Sequence, residues 1–187
     1  MKEDSIIIKS KRLYLRHLVI EDAEHIFNYA KNINVSKFVT WDSHVTIKDS
    51  IKFVKSILKI YKIFPISNLG IVINENFNET VIGTIGLLQK QRMSLNTYEL
   101  GFAINENYWG KGYAYEAAIS LLKHCFDNYI IQRVEATCMI ENKKSYKLME
   151  KIGMKREGIL RNYVFKNNYY YDSYMYSILK HEWDNFL

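Results

Sequence analysis

The stretch Trp109-Gly110-Lys111-Gly112-Tyr113-Ala114 puts two glycines and a lysine where a strand-like run, Tyr98 to Ile104, gives way to a helix-like run, Tyr113 to Tyr129. The first amides of a helix have no partner within it, and the helix dipole is positive at that end, so an anion is favoured there. Glycines let a phosphate reach the backbone with no Cβ in the way. Spacing excludes two familiar nucleotide loops. A P-loop needs glycine five residues before Gly110, where Asn105 stands, and Ser or Thr after Lys111, where Gly112 stands. A dinucleotide fingerprint needs Gly or Ala three residues after Gly112, where Tyr115 stands. What remains is another kind of phosphate cradle, or two glycines that only make a tight strand-to-helix turn.

The strand before the corner alternates. Leu100, Phe102 and Ile104 face one way, while Glu99, Gly101 and Ala103 face the other. The second face is small and leaves room for a ligand or another backbone to lie close. Its one charged member, Glu99, could meet a ligand there or pair with a surface base. Asn142 and Ser145 form N-x-x-S at a helix start, where an asparagine suits the cap position. The five histidines, His17, His25, His44, His124 and His181, show no ligand spacing, so no metal site is expected.

These residues must be positioned by a mixed set of elements. Arg12 to Arg16 alternates as a half-buried strand does. Ile20 to Ala30 reads as a helix with Ala23, Ile26, Phe27 and Ala30 on one face. Thr46 to Tyr61 reads as a helix opened by a Thr46/Asp49 capping box, with Ile47, Ile51, Val54, Leu58 and Tyr61 as its apolar stripe. Leu69 to Ile73 and Thr80 to Gln89 form a hairpin around NENFNE, and Arg133 to Met139 is a further strand. Asn142 to Ile152 is a helix closed by Gly153, and Glu157 to Phe165 and Tyr170 to Leu179 are two final strands. The hairpins argue for an α+β fold over a purely parallel, doubly wound sheet.

The 187 residues, 48% apolar and 25% charged, with one proline and eight glycines, suit a single globular domain with little room for linkers. The opening residues carry acids and only a short apolar run, so no signal peptide is expected, and no membrane span either. Cys125 and Cys138 form no metal or redox spacing and read as two buried thiols of a reducing, cytoplasmic setting. The formal charge of +6 is mostly scattered lysine, compatible with a solvated surface or with an anionic ligand. No aromatic-plus-basic RNA-binding motif is present, so direct nucleic-acid binding is not expected.

Three stretches carry a family resemblance: YELGFAINENYWGKGYAYEAA, RVEATCMIENKKSYKLMEKIGMKREG and YDSYMYSILKHEW. Together they resemble the GNAT superfamily of acetyl-CoA-dependent N-acetyltransferases, and within it the ribosomal-protein-alanine N-acetyltransferase branch, which the start of this chain, KSKRLYLRHLVIEDAEHIFNYA, fits too. The likeness runs from about Ser10 to Trp183. It implies one GNAT domain over 1–187, with a central, twisted, mostly antiparallel sheet flanked by helices and two middle strands splayed apart. It implies acetyl-CoA as cosubstrate, its pantetheine arm along Phe102, Ala103 and Ile104, and its diphosphate on Trp109, Gly110, Lys111, Gly112, Tyr113 and Ala114. Asn142 and Ser145 would meet the arm. The loop departs from the superfamily pattern at Asn107, where Arg or Gln is usual.

Acetyl transfer to an amine requires a proton acceptor, stabilisation of an oxyanion and a departing thiolate. Glu99 is the expected base, through a water, and Ser145 the expected aid to the thiolate. Trp41 fits the family's substrate-side loop, where Glu99 also contributes, although a core aromatic would look the same. Glu116 reads as a first-turn acid meeting the helix dipole, and Asp172 as a family position with a structural hydrogen bond. Two departures stand out. Met149 occupies the position of the usual acid tyrosine, which leaves Ser145 or Tyr146. The segment Asn162 to Phe165 has no carboxylate where some branch members carry one. The acceptor is expected to be a protein N-terminal α-amine, with a small polyamine or aminoglycoside-like antibiotic as the alternative, and a non-catalytic acetyl-CoA-binding module as a third reading. Homodimerisation is left open.

Overall fold

Runs of β-branched and alternating residues pair into one sheet in the computed structural model, which describes residues 7–75, 78–89 and 96–186. Among these residues are eight strands: β1 (Ile7–Lys9), β2 (Tyr14–Arg16), β3 (Leu69–Glu75), β4 (Asn78–Gln89), β5 (Thr97–Ile104), β6 (Arg133–Met139), β7 (Lys155–Lys166) and β8 (Tyr169–Leu179). Their order is β1-β2-β3-β4-β5-β6-β8-β7. Every neighbouring pair is antiparallel except β5 with β6. The helices are α1 (Ala23–Ala30), α2 (Ile33–Ser36), α3 (Ile47–Ile60), α4 (Tyr113–Asn128), α5 (Lys143–Lys151) and α6 (Lys180–Asp184).

The sheet separates two cores, as alternation demands. Ile71 and Ile73 of β3 join a cluster with Leu121, Leu122 and Phe126 of α4, Met149 of α5 and Trp183 of α6. Val72, between them, joins Val81, Ile26 of α1, and Val54 and Ile57 of α3 on the other face. The extra residue of a bulge at Ile71/Val72 lets β4 change register there.

The one parallel pair sets the site. β5 and β6 are in register over Thr97↔Arg133, Tyr98↔Val134 and Glu99↔Glu135. Beyond Glu99 they part, while β5 stays paired with β4 as far as Ile104 and β6 with β8 as far as Met139. The result is a wedge between two strands that are each held from behind.

Several expectations shift. The first helix begins at Ala23, after a 3-10 turn over Ile20–Asp22, and Asp22 fastens that turn by accepting from the Val19 amide (2.8 Å) and from Arg16. Tyr29 is therefore buried where Phe27 was expected, and Phe27 lies half-exposed under Lys31. In α3 the buried residues are Ser50, Val54 and Ile57, so Ile47, Ile51 and Leu58 flank the stripe and are only half-buried. The capping box holds: Asp49 accepts from the amides of Thr46 (2.8 Å) and Val45 (3.0 Å). Gly153 takes φ +87°, as a helix-ending glycine does. The hairpin turn includes residues 76 and 77, which lie outside the described residues. β1, α2 and α6 have too few residues to show a period and were not anticipated. Among the described residues, no helix is long and apolar enough to cross a membrane.

Candidate active site

The glycine corner is built by local bonds. The Asn105 side chain caps a 3-10 turn over Glu106–Tyr108 by accepting from the Asn107 amide (3.1 Å). Trp109 donates its indole N–H to the Ile104 carbonyl (2.8 Å), which fixes the chain direction as it leaves β5. Gly110 (φ +74°) and Gly112 (φ +82°) then take the left-handed conformation that L side chains disfavour, and Gly112 is the N-cap of α4. Among the described residues no side chain caps this helix start, so its first amides are available to an anion. A Cβ on Gly110 would meet no atom within 4 Å, whereas one on Gly112 would lie 3.3 Å from Arg12 Nη2.

Arg12 braces the corner from outside. It donates to the Lys111 carbonyl (2.9 Å), pairs with Glu116 (2.6 Å) and stacks over Tyr113. Glu116 also accepts from the Ser10 hydroxyl and the Arg12 amide, both at 2.7 Å. Its place in the first turn thus tethers the segment before β2 to α4.

Two cavities meet at the wedge. One, of about 700 Å³, is lined by Phe102, Ala103 and Ile104, by Trp109, Gly110, Gly112, Tyr113 and Ala114, and by Asn142 and Ser145. Lys37, Lys143, Lys144, Lys147 and Lys151 surround it against a single carboxylate, Glu141. Lys144 lies over the Trp109 ring, 4.0 Å from its centroid, and Lys151 over Tyr115. Lys111 is the one expected ligand turned away: its ammonium rests over Tyr108 and does not line the cavity.

The other cavity, of about 400 Å³, holds Glu99, Gly101, Trp41, Thr137, Met149 and Ser173 in its wall. Among the described residues, no lysine or arginine lines it, and Glu99 is its only carboxylate. Phe38, Val39, Phe102, Ala103, Asn142 and Ser145 line both cavities, so they form the neck between them.

Thr137 donates to Glu99 (2.9 Å) from two residues beyond Glu135, the register partner of Glu99. Asn142 caps α5 by accepting from the Ser145 amide (3.2 Å). Burial pushes the Cys138 thiol up to about 11, with the Ser145 hydroxyl opposing that rise. The Cys138 side chain therefore stays a thiol at neutral pH. Tyr146 does not line either cavity; it packs edge-on against Tyr174. Asp172 accepts from the Asn162 amide (2.8 Å), a structural bond.

Two wall residues, His44 and Ser173, and one residue behind the wall, Lys166, escaped sequence reasoning. His44 lines the smaller cavity, its Nδ1 2.7 Å from the Ser50 hydroxyl, and burial lowers its pKa against the opposing pull of Asp49. Screening histidines for metal spacing could not find it; its place three residues after Trp41 in one loop could have. Ser173 is fully buried with no hydrogen-bond partner. Lys166, nearly buried, donates to the carbonyls of Val39 (2.9 Å) and Trp41 (2.7 Å) and ties their loop to β7.

The acetyltransferase (GNAT) domain family matches residues 12–155. The chain belongs to the GNAT acetyltransferases. It is similar to the uncharacterized N-acetyltransferase YnaD of Bacillus subtilis, with 35% identity over 177 residues covering 95% of this chain and 99% of that protein. A crystal structure of a GNAT-family acetyltransferase from Bacillus anthracis superposes with a TM-score of 0.82 at 32% identity, covering 94% of this chain and 99% of that one. The [ribosomal protein uS5]-alanine N-acetyltransferase of Escherichia coli is 25% identical over 103 residues, 55% of this chain and 53% of that enzyme. This GNAT protein is accordingly an acetyl-CoA-dependent N-acetyltransferase with the mixed, mostly antiparallel fold that its sequence resemblance implies.

Proposed function

We propose that this enzyme passes an acetyl group from acetyl-CoA directly to the N-terminal α-amine of a protein, both substrates bound at once. The observation that carries this reading is the division of charge between two joined cavities. Five lysines, a helix start with open amides and a glycine corner surround the larger one, which suits a polyanion such as coenzyme A. One carboxylate and no described cation line the smaller one, which suits an amine. The thioester carbon belongs at the neck, where Asn142 and Ser145 face both sides.

Each chain residue then has a definite task. Main-chain amides from Gly110 to Ala114 hold the diphosphate, and the open edge of β5 at Phe102 to Ile104 receives the arm. Glu99, oriented by Thr137, takes the amine proton through a water. Ser145 donates toward the departing sulfur. The direct route is also favoured by Cys138, the one cysteine of the described wall, which is held as a thiol. An α-amine has a pKa of about 8, against about 10.4 for a lysine amine, so a single carboxylate is enough to complete its deprotonation. A polyamine would call for several acids in the smaller cavity. The similarity to the uS5-alanine enzyme supports a ribosomal protein as the acceptor to try first, and two buried free cysteines fit a cytoplasmic setting.

Thiol release from acetyl-CoA, measured with a C-terminally amidated peptide, spermidine and an aminoglycoside, tests the reading. Turnover on the peptide with intersecting initial-rate lines supports it. Turnover only on the small amines moves the acceptor to that class. Thermal stabilisation by acetyl-CoA without any turnover points to a binding module.

A further inference from the structure

The smaller cavity has more wall than an amine and an acetyl group require, and that wall has a definite chemistry. Trp41, His44 and Phe53 form a file of rings, with centroids 5.7 Å apart for the first pair and 6.4 Å for the second. All three line the cavity, and Phe38 and Phe102 continue the aromatic surface to the neck. The volume of about 400 Å³ exceeds the roughly 150 Å³ that is enough to enclose a benzene ring. Among the described residues, the wall has no cation to pair a carboxylate and no second acid to pair a second amine.

We infer that the acceptor is a primary amine carried on an uncharged apolar body, flat and aromatic for preference, which lies along the Trp41–His44–Phe53 file. This rests on the acetyl-transfer reading above and adds to it: in a polypeptide acceptor, the apolar body is the first side chain. A free amino acid is excluded because its carboxylate would be buried without a cation, which is costly. A residue as small as alanine leaves the ring file uncovered. Discrimination in an apolar pocket reaches about 10–200-fold per methylene-sized change, so a bulky first residue gains a large margin.

The test is kcat/KM for thiol release across amidated pentapeptides that differ only at the first position: Phe, Leu, Ala, Asp or Arg. Run beside them are 2-phenylethylamine, spermidine and free phenylalanine. Phe and Leu peptides should exceed the Ala peptide by at least tenfold, with Asp and Arg below Ala and free phenylalanine far below the Phe peptide. Equal rates for Phe and Ala, or a lead for Asp or Arg, would overturn the inference. If no peptide reacts, the α-amine reading fails, and the pair of small amines decides the inference alone: a preference for 2-phenylethylamine sustains it, and a preference for spermidine ends it. Silence from every amine ends both. In Trp41→Ala, the Phe-to-Ala ratio should fall to within about threefold while the KM for acetyl-CoA holds; a ratio that survives this change shows that the ring file does not read the acceptor.

Discussion

Gly101→Val separates the site from the fold. Gly101 lies in β5 where the strand leaves β6, its φ is not positive, and a Cβ built on it meets no heavy atom within 4 Å. The new side chain therefore enters the smaller cavity with open space around its Cβ. Replacing a strand glycine lowers the entropy of the unfolded chain by about 0.4–1 kcal/mol, and the β-branched residue suits the strand on a scale of about 1 kcal/mol. Stability should hold or rise by up to about 1 kcal/mol, which is about 2–4 °C in Tm for a chain of this size. Activity should go the other way. An isopropyl group beside the neck shifts the reacting atoms by more than the 1 Å that can cost about 100-fold, so kcat/KM should fall at least 100-fold. Differential scanning fluorimetry and the thiol-release assay on the same preparation read both quantities. Wild-type turnover at an unchanged Tm would mean that the cavity beside Gly101 is not where transfer occurs. A falling Tm would mean that the glycine was needed by the fold.

Four further outcomes follow from the same geometry. Gly112→Glu should abolish acetyl-CoA binding in calorimetry, because it adds a left-handed strain of about 1–2 kcal/mol and a negative charge at the phosphate cradle, while Gly112→Ala carries the strain alone; equal affinities in the two variants would discount the charge. Glu99→Gln should lower kcat/KM by about 10²–10⁴-fold at pH 7 and recover part of it as the α-amine deprotonates itself above pH of about 8, whereas a flat loss across pH would deny Glu99 the proton. Lys166→Met should raise the KM of the acceptor and leave that of acetyl-CoA alone, since it frees the loop carbonyls of Val39 and Trp41; the reverse pattern would place that loop on the cosubstrate side. The hydrogen bonds of Arg133, helped by Ser177, hold the Glu157 carboxyl at about 2 instead of 4.5. A carboxyl depressed by folding stabilises above its unfolded pKa and loses that contribution as pH falls through the folded one, so the stability gap between wild type and Glu157→Gln should shrink from pH 4.5 down to 2 in urea titrations. A gap that ignores pH would contradict the pairing.

What could be read in the sequence was whatever a local period or a local backbone requirement carries. The wedge-forming strands, the helix after the glycine corner, the cap at Asn142 and the alternation that aims Glu99 and Gly101 at a cavity all follow from neighbouring residues. What stayed hidden depends on contacts distant in the chain. Lys166 reaches its carbonyl partners from more than a hundred residues away, and Arg12 is as remote from the corner that it braces. His44 offers only its place three residues after Trp41, because its bond to Ser50 forms when α3 brings that hydroxyl to the ring. Lys111, which reads as a phosphate ligand, is drawn off by the nearby Tyr108 ring, a preference that sequence spacing does not express. The two charge environments were equally hidden, because the five lysines of the larger cavity come from two separate segments of the chain and look like scattered surface charge in sequence.

A crystal structure with coenzyme A bound would test the central claim most directly. The diphosphate should sit against the amides of Gly110 to Ala114, with the arm running between the parted ends of β5 and β6 and the sulfur at the neck beside Asn142 and Ser145. A diphosphate bound elsewhere, or an arm that bypasses the wedge, would contradict the account.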